Sequence, residues 1–136
     1  MKPLLRFALS NAASERFGRT QRLGGRGSFQ SVYSAKVRAT RGVLSAYAVP
    51  NELGHLRLGL SVGRAVGNAV VRNRVKRLLR EAFRRLEGRD RAGYDLVVVV
   101  RPGRAVADMQ LPDCRRLLAQ LLGDLRSRWR AKNIEG

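Results

Sequence analysis

The chain has 136 residues, a length that suits one domain, and 44% of them are apolar, enough for an ordinary core without disulfide or metal staples. Its 28 Lys and Arg against 10 Asp and Glu leave a formal net charge of +18, carried mostly by arginine; such a chain repels itself unless a polyanion neutralises it. A lone cysteine excludes an intrachain disulfide framework, and no stretch approaches the roughly 18 apolar residues of a membrane span, so a nucleic-acid partner rather than a membrane is expected.

Residues 1–21 read as a flexible basic extension. The apolar run after Met1 is short and broken by Arg6, too weak for an export signal. The single acid Glu15 among Lys2, Arg6, Arg16 and Arg19 has the composition of a transit peptide and no more. A cytoplasmic location is expected. One folded domain is expected over 22–130, with 131–136 as a short tail.

Gly24-Gly25-Arg26-Gly27 signals a turn, and Ser28 is placed to cap a short helix through Ser34, with Phe29, Val32 and Tyr33 on one side. Val37 to Arg41 reads as a short strand ended by Gly42. Val43 to Val49 reads as a second, stopped by Pro50-Asn51. Leu56-Arg57-Leu58-Gly59-Leu60-Ser61-Val62 alternates and predicts a strand with one buried face. Gly63 to Gly67 is a loop.

A long helix follows, capped by Asn68, running through Leu86 and stopped by Gly88. Val71, Val75, Leu78, Leu79, Ala82, Phe83 and Leu86 recur at three- and four-residue intervals and occupy a sector of about 140°. Arg72, Arg74, Lys76, Arg77, Arg80, Arg84 and Arg85 are assigned to the rest of the circumference, opposed there only by Glu81. A helix needs one wet face but not seven cations on it, so this face is read as a phosphate site. Arg72-Asn73-Arg74 opens the helix, where free N–H groups and the dipole already favour anions. The two arginines project to opposite flanks of the stripe, about 200° apart, with Asn73 between them.

Tyr94-Asp95-Leu96-Val97-Val98-Val99-Val100 follows as a β-branched run covered on both faces, ended by Pro102-Gly103. The last element is a helix from about Pro112 to Arg130, with Cys114, Leu117, Leu118, Leu121, Leu122, Leu125 and Trp129 as its apolar stripe. Gly123 weakens it by about 1 kcal/mol relative to Ala. The element order α-β-β-β-α-β-α describes an α+β fold, a small two-layer sandwich of sheet and helices.

Catalytic side chains are not expected. His55, the only histidine, falls in a loop as a solvated turn residue. No serine or cysteine has a nucleophile motif, no zinc-ligand spacing occurs, and no close pair of acids suggests carboxylate or two-metal chemistry. Cys114 reads as a small core residue. The Gly24–Gly27 glycines lack the lysine and strand of a phosphate-cradling loop. Phe29 and Tyr33, four residues apart, are either core residues or a platform for unpaired bases; spacing alone favours the core.

The segment Arg57 to Val62, then Gly67-Asn68-Ala69-Val70-Val71-Arg72-Asn73-Arg74 through Arg84, resembles the bacterial ribonuclease P protein component. Arg22-Leu23, Phe29 to Tyr33 and Tyr94 to Pro102 resemble it in order and spacing. The resemblance implies a left-handed βαβ crossover, against the usual rule of handedness. It implies two partners, ribonuclease P RNA and precursor tRNA, with one protein per RNA subunit. In this picture Mg²⁺ is held mainly by the RNA, which removes the 5′ leader. By position, Arg72, Asn73, Arg74, Lys76, Arg77 and Arg80 would face RNA, with Asn68 and Arg64 beside them. Phe29, Tyr33 and Arg22 would line a cleft for the single-stranded leader, which reverses the core preference. The family usually carries a lysine where this chain has Ala65; Arg64 offers a charge from a different starting point. A ribosomal or other structural RNA-binding protein is the alternative on composition. A DNA-binding regulator would place a second helix, not strands, beside the basic helix.

Overall fold

The computed structural model describes residues 26–51, 53–86 and 93–135. In chain order these form α1 (Arg26–Ser34), β1 (Arg38–Arg41), β2 (Leu44–Pro50), β3 (Arg57–Val62), a 3₁₀ turn (Arg64–Val66), α2 (Ala69–Arg84), β4 (Tyr94–Val100), α3 (Arg104–Asp108) and α4 (Leu111–Glu135). The strands make one sheet in the order β1-β2-β4-β3. β1 and β2 form an antiparallel hairpin in which Arg41 faces Leu44. The two loop residues are Gly42 and Val43, and Gly42 at φ 57 fits the first position of a type II′ turn.

β2 pairs antiparallel with β4, and β3 pairs parallel with it, Leu58 opposite Leu96 and Leu60 opposite Val98. Parallel neighbours require a crossover, and α2 supplies it. β4 is flanked on both sides and packed on both faces, which explains its unbroken apolar run. On one face, Leu44, Ala46, Ala48, Leu58, Leu96, Val98 and Val100 meet Val75, Leu79 and Phe83 of α2 and Leu118, Leu121 and Leu125 of α4. Trp129 of α4 ties the layers further by donating its indole N–H to the Ala48 carbonyl at 2.9 Å.

Helices are not confined to that side. α1 lies against β2 and β4 on the opposite face, where Val32 and Val97 are fully buried among Tyr33, Tyr47, Val49 and Val99. The two expected layers therefore gain a partial third. Val32 is the cause: it faces the same way as Tyr33, and only this second sheet face is free to receive them.

Several boundaries differ from the sequence pattern. α1 begins at Arg26, so Ser28 lies inside the helix and not at its cap. α2 ends at Arg84, with Arg85 as its C-cap, two residues short of Leu86; Gly88 lies outside the described residues. α3 carries one buried residue, Val106, too few to produce a periodic signal. α4 extends to Glu135, beyond Arg130. Gln110 precedes it: its N–H donates to the Asp113 carboxylate at 2.9 Å, one half of a capping box, and its carbonyl accepts the first helical bond, from the Cys114 N–H at 3.1 Å. His55 is half-buried, with Nδ1 3.2 Å from the Leu56 carbonyl oxygen, and is not simply a solvated turn residue. The extension 1–21 also lies outside the described residues.

Candidate nucleic-acid interface

The basic helix is fixed at its start by three local contacts. The Asn68 side chain accepts from the Val71 N–H at 3.0 Å, the cap expected from its residue type. Gly67 sits so close to the first turn that a Cβ there would lie 2.9 Å from Val71 Cβ, so only glycine fits. Arg72 Nε then donates to the Gly67 carbonyl at 3.2 Å. With one lone pair of its Oδ1 engaged in the cap, Asn68 still has its amide NH₂ to offer a ligand.

This arrangement corrects the assignment of Arg72 and Arg74 to the wet face alone. Both are half-buried. Arg72 lies in line with Leu79 and Phe83, seven and eleven residues on, so it falls at the edge of the apolar sector and not on the wet face. Arg74 takes the other flank and donates from Nη2 to the Met109 carbonyl at 2.7 Å, just before α4. Each guanidinium keeps further N–H groups for an anion, but each is also part of the fold.

The outward face belongs to Asn73 and Arg77, both exposed, and to half-buried Arg80 and Arg84. With Glu81 these four border a depression of about 300 Å³. Glu81 is the one acid there. It accepts from Arg84 Nη2 at 2.6 Å and from Arg85 Nε at 2.9 Å. Arg84 first, then Arg85, hold its carboxyl below the usual carboxylate range. Glu81 thus neutralises part of the C-terminal end of the face and leaves Arg77 and Arg80 cationic, with the neutral amide of Asn73 beside them. Lys76 is half-buried on the Arg72 flank, and Arg64 is exposed in the 3₁₀ turn.

The second candidate surface is the sheet face under α1. Tyr33 meets Tyr47 edge-to-face, ring centroids 4.9 Å apart at 90°. Both are half-buried, so Tyr33 serves the small core of this face and still presents ring surface. Phe29 lies one turn earlier in α1, and Arg22 lies outside the described residues. Beside the aromatics, Arg57 of β3 forks onto Asp95 of β4 at 2.8 and 2.7 Å, and Asn51 donates to the same carboxylate at 2.8 Å. Asp95 is 8% exposed and thus a buried acid fully spent on the fold. At the β1 edge, Lys36, Arg38, Arg128 and Lys132 surround a further depression of about 620 Å³. Nothing in the sequence pattern marks Tyr47, Arg57 or Arg38 as residues of this surface. The one available sign was Asp95 itself, an acid inside an apolar strand that demands a cationic partner.

The chain matches the ribonuclease P family over residues 17–126. It belongs to the ribonuclease P protein family. It is 46% identical over 80 residues to the ribonuclease P protein component of Caldanaerobacter subterraneus, covering 59% of this chain and 69% of that one. With the same component from Symbiobacterium thermophilum it shares 41% over 101 residues, 74% and 86% of the two chains. The solved ribonuclease P protein of Staphylococcus aureus superposes with a TM-score of 0.62 at 29% identity, covering 76% of this chain and 93% of that one. That of Thermotoga maritima gives 0.62 at 28% identity, with coverages of 74% and 94%.

Four acids among the described residues of this ribonuclease P family member hold arginines. Glu81 holds Arg84 and Arg85, Asp95 holds Arg57, Asp113 lies 3.4 Å from Arg116, and Asp124 binds Arg41 at 2.8 Å. Among the described residues no three His, Cys, Asp or Glu side chains gather where they could hold a metal ion. Cys114 is fully buried, and burial pushes its thiol up to about 11. No described helix is long and apolar enough to cross a membrane.

Proposed function

We propose that the chain is the protein subunit of ribonuclease P, binding the catalytic RNA and the 5′ leader of precursor tRNA so that mature 5′ ends are produced. The observation that carries this reading is the outward face of α2, where Asn73, Arg77 and Arg80 stand beside a capped helix start in a chain of this family. Its cations suit phosphates, and its amide suits a base edge or a sugar. In this reading the RNA holds Mg²⁺ and performs the cleavage, one protein serves each RNA, and the assembly works in the cytoplasm. The left-handed sense of the β3-α2-β4 crossover belongs to the same proposal.

The protein's own contribution is binding and orientation. Arg72 and Arg74, held by the Gly67 and Met109 carbonyls, present their remaining N–H groups from fixed positions and lose little freedom on binding. Tyr33 and Tyr47 offer ring surface for an unpaired base of the leader. Binding the leader in this cleft would hold the tRNA precursor on the RNA without touching the scissile bond.

The test is cleavage of precursor tRNA by a bacterial ribonuclease P RNA at a Mg²⁺ concentration too low for the RNA alone. Addition of this chain should restore cleavage at the mature 5′ end. Binding of the RNA without any restored cleavage would instead favour a structural RNA-binding role.

A further inference from the structure

We infer that the trough between the end of α2 and one flank of α4 is a second binding site for RNA backbone phosphates, on the opposite side of the sheet from the Tyr33–Tyr47 cleft. The inference rests on RNA being the partner. The trough has a volume of about 520 Å³ and is bordered by Arg85, Arg115, Arg116 and Arg126. On α4 its residues recur at three- and four-residue spacing, Pro112, Arg115 and Arg116, Ala119, Leu122 and Gly123, then Arg126, and so lie on one face. That face is separate from the Asn73–Arg77–Arg80 surface, because the residues that line the trough at and just beyond the end of α2, Ala82, Arg85 and Leu86, are not those lining the outward depression.

Three features point to a polyanionic occupant. First, the cations exceed their local partners. Arg85 shares Glu81 with Arg84, and Arg116 reaches Asp113 only at 3.4 Å. For Arg115 and Arg126 no acidic partner is found among the described residues, and Arg126 is half-buried. Second, two of the residues between the arginines, Ala119 and Gly123, are small, and the third, Leu122, is buried in the core. Gly123 is an exposed glycine inside a helix, and no heavy atom lies within 4 Å of where its Cβ would be. Packing therefore does not require glycine there, yet glycine disfavours the helix. Its missing side chain keeps the middle of the trough open. Third, Arg116 and Arg126 stand about 15 Å apart along the helix axis, too far for one small free anion to bridge but within the span of non-adjacent phosphates on one strand.

The experiment measures binding of the full chain to a bacterial ribonuclease P RNA, without precursor tRNA, over a range of monovalent salt. Arg115→Ala/Arg126→Ala should weaken binding at least tenfold at moderate salt. It should also reduce the log–log salt slope by about 1.4 to 1.8, at roughly 0.7 to 0.9 per lost phosphate contact. Gly123→Leu, built into open space, should weaken binding while leaving the denaturant midpoint at or above that of wild type. The control pair Arg104→Ala/Arg130→Ala removes the same charge from exposed positions outside the trough.

Equal losses for the trough pair and the control pair would mean diffuse attraction and overturn the site, as would an unchanged slope. A trough that protects an oligoglutamate peptide while RNA binding is unchanged would identify an acidic protein as its occupant and likewise overturn it. Wild-type binding with unaffected variants defeats only the trough; no wild-type binding defeats the functional reading as well.

Discussion

Arg74 and Met109 are 35 residues apart in sequence, and the guanidinium of the first donates to the main-chain carbonyl of the second at 2.7 Å. The contact ties the start of the basic helix to the segment that leads into α4. An arginine proposed to face RNA is thereby also a structural one. Arg74→Ala should cost about 1.5–3 kcal/mol through the lost charge-assisted bond to a half-buried carbonyl. Arg77→Ala, fully on the wet face, should change stability by less than about 0.5 kcal/mol. Leu79→Ala should cost about 2–5 kcal/mol by opening a cavity at a fully buried site. Urea unfolding of the three variants should give the order Leu79→Ala, Arg74→Ala, Arg77→Ala. RNA binding should fall for both arginine variants. An Arg77→Ala protein that unfolds as early as Arg74→Ala would place Arg77 in the fold and remove it from the interface.

Glu81 provides a pH-dependent contribution whose sign is fixed by its partners. Hydrogen bonds from Arg84 and then Arg85 lower its folded-state pKa. A depressed carboxylate stabilises the fold above the unfolded value, near 4.3, and that contribution is lost as pH falls through the lower folded value. The stability gap between wild type and Glu81→Gln should therefore be present at pH 7 and close progressively below about pH 4. Urea midpoints at both pH values measure it. A gap that stays constant would show that the carboxylate's charge is not what Glu81 contributes.

Cys114 is expected to be inert in the native protein. Its thiol is fully buried, and burial raises its pKa from an ordinary 9.0 to about 11. A thiol-specific reagent at pH 8 should react with the denatured chain within its normal time and with the folded chain only as fast as the protein opens. Rapid labelling of the folded protein would mean that this part of α4 is not packed as described. The sign for stability is opposite to that of Glu81. A raised thiol pKa favours folding below the unfolded value and loses that advantage as pH climbs from about 9 towards 11.

What the sequence made legible follows how local each cause is. The stripe of α2 and the Asn68 cap depend on neighbours within a turn or two, and both are visible as spacing. Arg72 reads as a wet-face residue by its charge, yet the helical angle puts it in line with Leu79 and Phe83, so here charge and angle point to different faces. The Tyr33–Tyr47 contact could not be read in this way, because it depends on α1 choosing the second face of the sheet. The Arg57–Asp95 pair is intermediate. A buried acid in β4 announces that it needs a cation, but the identity of the cation follows from the parallel register of β3 with β4, which sets Arg57 opposite Asp95. α3, with Val106 as its only buried residue, left no periodic trace.

Tyr33 tests the leader cleft, and its edge-to-face contact with Tyr47 determines how the test must be built. Removing the ring also removes part of the packing around Val32 and Val97. Tyr33→Ala alone would therefore confuse a lost base contact with a loosened α1. Tyr33→Phe keeps the ring, and Tyr33→Leu keeps apolar bulk without an aromatic face. A base stacked on an aromatic side chain contributes about 1–3 kcal/mol, and only precursor tRNA has a leader to supply that base. In the assembled holoenzyme, Tyr33→Leu should weaken precursor binding by about fivefold to a hundredfold on that scale and leave mature tRNA almost unchanged. Tyr33→Phe should resemble wild type with both RNAs. The comparison is made on variants whose urea midpoints show that α1 is still docked. Equal losses for precursor and mature tRNA in Tyr33→Leu would remove Tyr33 from the leader path. Its ring would then belong to the small core beneath α1, as its spacing in the sequence first indicated.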